Sequence, residues 1–367
     1  VIAVVWHHTG SGAFADVWIL QQGHFGVDFF FAISGFLITT LLLREHRRNG
    51  AISYRKFLAR RAFRIFPLFY AVLSLYVVLT LLTRRDTAEA HQFFRNLPAF
   101  ATYTSNWFVD LQQGTSVTFY FAWSLATEEQ FYIFWPPLLA LMLAKGRDSV
   151  LTPLAAIGVL VTVNMIALHA VGGDALPVTI LRSLSLPMLL GVLGALLADR
   201  APTFRVVDRA LRAMPTQVLL VAALIGELAV GVQGEIIQVT MVLLVVACCL
   251  PGRGPFDHLL QWTPLARVGV ISYGVYLMHM LAANVVRPVI GREYGIAVFI
   301  GTSLVVLAAA EASFRWFETP LLRIKDRRFS SQNGPTPPRV ENAATRPSRR
   351  PIGVGVVSRY VHRRPRR

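Results

Sequence analysis

The sequence predicts an all-α membrane protein, a single polytopic bundle of about ten transmembrane helices, on three observations. Of its 367 residues 54% are hydrophobic and 15% charged, whereas ordinary soluble chains carry about 25% charged residues. Mean hydropathy is +0.51, and 24 Phe, ten Tyr and seven Trp suit buried walls and interfacial belts. Apolar stretches long enough to cross ~30 Å of hydrocarbon recur along the chain. Collagen-like, disordered and disulfide-stapled classes are excluded. The two cysteines, Cys248 and Cys249, are neighbours, a poor geometry for a disulfide and too few ligands for a soft metal, so no metal site is expected.

In chain order, Val1 to Trp6 is apolar but too short to span, and reads as the outer half of a truncated helix. Nine full stretches follow, at about 25–43, 65–83, 118–144, 149–170, 177–198, 216–233, 236–252, 264–289 and 295–317. With residues 44–64 cytoplasmic, 28 of the 36 Lys and Arg fall in cytoplasmic loops and the tail, and four in the opposite loops. The positive-inside bias therefore predicts both ends in the cytoplasm, and the segments 9–24 and 84–118 outside. A net charge of +16 does not signal nucleic acid, because 13 basic against three acidic residues lie between Glu318 and Arg367. That Pro- and Arg-rich stretch has too little apolar surface to offset its ordering entropy. The expected division is a transmembrane domain, 1–320, and a disordered basic arm, 321–367, near anionic lipid. Phosphate-loop, nucleophile-elbow and zinc-helix patterns are absent from the sequence.

Ionisable groups inside spans are costly, at ~2.5–3.5 kcal/mol each on insertion scales, so each is a functional candidate. His7 and His8 point about 100° apart on a helix, so at most one faces inward; a neutral imidazole there suits a general base. In Phe25-Gly-Val-Asp-Phe-Phe-Phe-Ala-Ile-Ser-Gly-Phe36, Asp28, Ala32, Gly35 and Thr39 share a face. That strip allows close helix packing, with Asp28 either a first-turn acid or a catalytic one. Trp123-Ser-Leu-Ala-Thr-Glu-Glu-Gln-Phe-Tyr132 is the most polar stretch in any span. Ser124 or Thr127 there reads as the cap of a helix restarting in the membrane. Glu128 and Glu129 need a cavity or a partner such as Arg182, and the aromatics are either an interfacial belt or a wall for sugar stacking. The segment 53–67 reads as an amphipathic helix with Arg60 and Arg64 one turn apart and Arg61 alongside, suited to lipid headgroups or to a cofactor's phosphates. In Ile271-Ser-Tyr-Gly-Val-Tyr-Leu-Met-His279, Tyr276 and His279 share a face.

Together with Val1-Ile-Ala-Val-Val-Trp-His-His8 and Arg60-Arg-Ala-Phe-Arg64, these motifs, in this order, resemble the acyltransferase 3 family of membrane O-acyltransferases, from Val1 to about Pro320. The resemblance implies about ten helices in a bacterial plasma membrane and transfer of an acyl group, often acetyl, from cytoplasmic acyl-CoA to hydroxyls of glycans, lipid-linked saccharides or smaller molecules. No permanently bound cofactor is implied. The family's essential histidine closes its first helix, which selects His8 over His7; the Arg that precedes it by eleven residues would fall before Val1. The resemblance implies His8 as base, with Glu128 or Asp28 fixing its tautomer, directly or through an acyl-histidine. It implies Arg60, Arg61 and Arg64 as the acyl-CoA grip. Ser34, Trp123, Glu129, Tyr132, Arg182, Tyr276 and His279 are the substrate-binding candidates. A polar-solute transporter or flippase is the alternative that uses the same buried groups.

Overall fold

The computed structural model describes residues 1–10, 21–110, 117–144, 151–173, 175–250, 256–291 and 293–329. The described residues are all-helical, with no strand among them. In chain order the helices are α1 (Ile2–Thr9), α2 (Phe25–Asn49), α3 (Tyr54–Thr83), α4 (Ala88–Ala101), α5 (Ser105–Phe108), α6 (Ala122–Ala144), α7 (Leu151–His169), α8 (Leu176–Arg182), α9 (Leu186–Asp199), α10 (Ala201–Leu211), α11 (Met214–Val230), α12 (Gly234–Cys249), α13 (Asp257–Leu260), α14 (Thr263–Ile290), α15 (Gly295–Ser313) and α16 (Thr319–Phe329).

Among the described residues, five helical stretches are long and apolar enough to cross a membrane, and up to seven if each of two bent pairs is one span. The expected span at 177–198 is a broken pair, α8 and α9, bent by 53°. Ser185 caps α9 by accepting from the Met188 N–H, and Pro187 follows in its first turn, so the chain restarts there as a new helix. The expected span at 216–233 is preceded by α10 at 70°, with Pro215 at the start of α11. At 16 residues, α12 is a shorter apolar helix. Glu128, Glu129 and Gln130 lower the hydropathy of α6, which has the length of a span.

Other expectations change as well. The amphipathic segment 53–67 and the span 65–83 are one 30-residue helix, α3, running through Pro67; close to the site of the lost N–H, the Tyr273 hydroxyl donates to the Ile65 carbonyl (2.9 Å). The chain stays helical past the expected domain boundary at 320, through a π-turn at Phe314–Glu318 into α16. The rest of the arm, 330–367, lies outside the described residues.

Without a hydrophobic force between helices in lipid, contact depends on how closely backbones approach. The strip on α2 provides this against α9. A Cβ on Gly35 would lie 2.1 Å from the Met188 carbonyl oxygen, and one on Gly191 would lie 2.4 Å from that of Ala32. Lower on the strip, Thr39 accepts from the Trp135 indole of α6 (2.9 Å). A second core joins α3, α4 and the turn before α6, where Phe69, Phe93, Phe100, Tyr103, Phe119 and Phe121 are buried together. Tyr103 (φ 54°) and Phe119 (φ 65°) take left-handed backbone conformations, which cost about 1–3 kcal/mol each and need firm surroundings; the Tyr103 ring stacks on Phe69 at 4.3 Å.

Gly35→Val and Gly191→Val should each destabilise the detergent-solubilised protein by ~1–3 kcal/mol, read as a lower unfolding temperature. Gly226→Ala, whose Cβ meets nothing within 4 Å, should leave it level or slightly raised.

Candidate functional site

The final turn of α1 brings His8 into the bundle and leaves His7 at its margin, with Nδ1 2.9 Å from the Gln21 carbonyl. The last four carbonyls of a helix lack internal donors. The one on His8 is met by Arg287 of α14, whose guanidinium donates to it, a favourable place for a cation. The ring of His8 stacks on that of His279 at 5.1 Å with 26° between the planes. The Tyr120 hydroxyl lies 2.9 Å from His8 Nε2 and 3.1 Å from Nδ1, so it serves either tautomer.

His279 is fully buried. Its Nδ1 faces the Tyr276 carbonyl at 2.5 Å; a carbonyl only accepts, so Nδ1 carries the proton and Nε2 keeps a lone pair in the neutral ring. That Nε2 has no hydrogen-bond partner among the described residues. Tyr276 binds across to α6, its hydroxyl 2.5 Å from Ser124 Oγ and donating to the Phe121 carbonyl (3.0 Å).

One turn along α6, Glu128 accepts from Ser34 of α2 (2.8 Å) and from the Tyr132 hydroxyl. Arg61 of α3 stacks over the Tyr132 ring, 4.8 Å from its centre, and interacts electrostatically with Glu128 and Glu129. Glu129 Oε1 is buried and has no partner among the described residues. Arg64 is exposed, and Arg60 pairs with Glu45 (3.5 Å). A run of polar side chains thus passes through the bundle, from His8 and His279 by Tyr276 and Ser124 to Glu128, Tyr132 and Arg61.

His7 and His8 line a cavity of about 1090 Å³, with Thr83, Arg84, Glu89 and Arg287. Thr83 and Arg61 are near opposite ends of α3, about 33 Å apart at 1.5 Å per residue, comparable to a hydrocarbon core. A second cavity, of about 530 Å³, holds Asp28, Trp123 and Arg182.

Several expectations are corrected here. Neither Glu128 nor Asp28 orients His8, because the polar atom beside that ring is the Tyr120 hydroxyl, Glu128 faces Ser34 and Tyr132, and Asp28 accepts from Gln238 (3.2 Å). Arg182 does not balance the α6 acids. Its guanidinium donates to the carbonyls of Ala167 (2.9 Å), Gly173 (3.1 Å) and Val171, closing the C-terminal end of α7. Ser124 and Thr127 do not cap a restarting helix; α6 begins before both, and their hydroxyls donate back to Phe121 (3.1 Å) and Trp123 (3.2 Å). Among the described residues no group of His, Cys, Asp or Glu could hold a metal.

Sequence reasoning missed Arg287, Tyr120, and the amide pair of Asn106 and Gln130, whose side chains donate to each other at 2.9 and 2.8 Å. Arg287 lies eight residues beyond His279, a little over two turns on, which was its available signal. Tyr120 had none beyond its place ahead of Trp123.

This site belongs to a helical membrane protein in which a half-buried histidine that faces a cavity stacks on a second, fully buried one. The chain matches the acyltransferase 3 family, described as an acyltransferase domain, over residues 1–311 and belongs to it. It is 30% identical over 338 residues to YrhL of Bacillus subtilis, named as a candidate peptidoglycan O-acetyltransferase, covering 84% of this chain and 52% of that one. It is 27% identical over 352 residues to the O-acetyltransferase OatA of Staphylococcus aureus, covering 88% and 55%. The chain spans about half the length of these curated relatives. No solved structure matches it.

The pair separates two roles for His279. Replacement by Phe keeps the stack on His8 and removes Nε2, while Gln keeps a polar tip of similar reach. In a transfer assay His279→Phe should lose at least tenfold in kcat/KM and His279→Gln should recover part of that; equal rates would mean that only the stack matters.

Proposed function

We propose that the chain is a bacterial membrane O-acyltransferase that moves an acyl group, acetyl foremost, from cytoplasmic acyl-CoA to a hydroxyl of a glycan or lipid-linked saccharide on the other side. The observation that carries this reading is the stacked His8–His279 pair beside the larger cavity, joined by buried polar side chains to Arg61 near the far end of α3. Membership of an acyltransferase family and the O-acetyltransferase names of its relatives support it. The basic bias of the loops orients it, with Arg60, Arg61 and Arg64 at the cytoplasmic face and the His8 cavity outside. In this arrangement α6 and α12 also cross the membrane.

In this reading the donor's phosphates meet the exposed Arg60 and Arg64, and the pantetheine arm follows the polar run inward. Arg61, already seated on Tyr132 and near the two acids, guards the entrance, and Glu129 Oε1, without a partner among the described residues, accepts an amide N–H of the arm. His8 takes the proton of the acceptor hydroxyl as its oxygen bonds to the thioester carbonyl carbon. The C–S bond then breaks, and the imidazolium returns its proton to the departing thiolate, so ester and free thiol leave together. His8 is suited to this because Arg287 fixes its backbone and Tyr120 meets its ring in either tautomer. General-base help of this kind is worth about 10²–10⁴-fold.

The test is reconstitution in proteoliposomes with labelled acetyl-CoA outside and a glycan fragment within. His8→Ala should insert normally and lose about 10²–10⁴-fold in transfer, read by mass spectrometry as loss of one acetyl per modified sugar; undiminished transfer ends the proposal. Arg61→Ala should raise the donor KM about tenfold with little change in acceptor KM. An acyl-enzyme trapped without acceptor would assign the acyl-histidine route instead of direct transfer.

A further inference from the structure

The second cavity is separate from the His8 chamber, and the start of α6 stands between them. Phe119 and Phe121 face the His8 side, whereas Trp123 and Thr127, one turn apart on α6, face the other. Its polar groups come from five further elements: Asp28 of α2, Asn106 of α5, Asn164 of α7, Arg182 of α8, and Glu235 and Gln238 of α12.

The charges in this cavity are largely spoken for. Arg182 donates to three backbone carbonyls, and Glu235 accepts from or pairs with His169 (3.1 Å). Among the described residues, the Asp28 carboxylate accepts from a neutral amide, Gln238. What faces the space, among the described residues, is one carboxylate with no cation partner, several neutral amides and hydroxyls, and the side chain of Trp123. The buried Asn164 Oδ1 adds an acceptor with no partner among the described residues. Such a set does not suit phosphate, because its one guanidinium is committed. It suits a ring with many hydroxyls, which offers donors to carboxylate and amide oxygens and C–H faces to an indole.

We infer that this cavity is a saccharide-binding subsite, which holds a neutral or amino sugar of the acceptor glycan next to the sugar that reacts at His8. The inference rests on the glycan acceptor proposed above, and it adds where a second sugar sits and which groups recognise it. Trp123 carries the ring face; Asp28 and Gln238 take its hydroxyls. Arg182 has a positioning role, holding the end of α7 so that the cavity keeps its shape.

Binding of chitotetraose, a soluble neutral amino-sugar tetramer, to the full chain in nanodiscs tests this with no acyl donor present, so its outcome does not depend on transfer chemistry. Calorimetric titration should give saturable binding. Asp28→Asn and Trp123→Leu should each weaken it at least tenfold, and Trp123→Phe, which keeps an aromatic face, should fall in between. In the transfer assay the same variants should raise the acceptor KM with donor KM unchanged. Glucose 6-phosphate should bind no better than glucose. Unchanged chitotetraose affinity in Asp28→Asn and Trp123→Phe, both eluting as the parent protein does, overturns the inference, as does preference for the phosphorylated sugar or a phospholipid retained in the cavity. Loss of transfer in His8→Ala alongside those results would leave the glycan reading standing without the subsite.

Discussion

Inside a lipid-embedded bundle a polar group that finds no partner is expensive, and this constraint organises the protein. It explains why the backbone carbonyl of His8, with no donor in its own helix, is met by Arg287, and why Arg182 closes the end of α7. It also gives meaning to the exceptions. The atoms left without partners in the interior include His279 Nε2 and Glu129 Oε1, one at each end of the polar run. Where most groups are paired, unpaired acceptors mark where a visitor's donors belong.

The site was legible wherever a polar residue broke an apolar pattern. Asp28, Glu128, Glu129 and His279 stand out on that ground, and the strip of small residues on α2 announced a close neighbour without naming it. Partners were not legible, since they are set by tertiary contacts across long stretches of chain. Ser34 meets Glu128 across 94 residues, and Arg287 meets His8 across 279. Arg182 misled because its charge suggested a salt bridge, whereas backbone carbonyls at a helix end attract a cation equally well. For the fold, helical content was plain from hydropathy. The break at Ser185 was missed because an apolar average smooths over a single cap, and Pro67 shows the converse, a proline that a long helix absorbs.

Two chambers on either side of one helix start have linings of different character. The larger carries the imidazoles; the smaller carries the amides, the carboxylate and Trp123.

The partition between the chambers includes Phe119, whose backbone holds a left-handed conformation that non-glycine residues seldom adopt and whose ring packs against those of Phe69, Tyr76, Phe100 and Phe121. In the proposed reading, a saccharide that engages both chambers has to span the start of α6, so an oligomer and not a single sugar would occupy both at once.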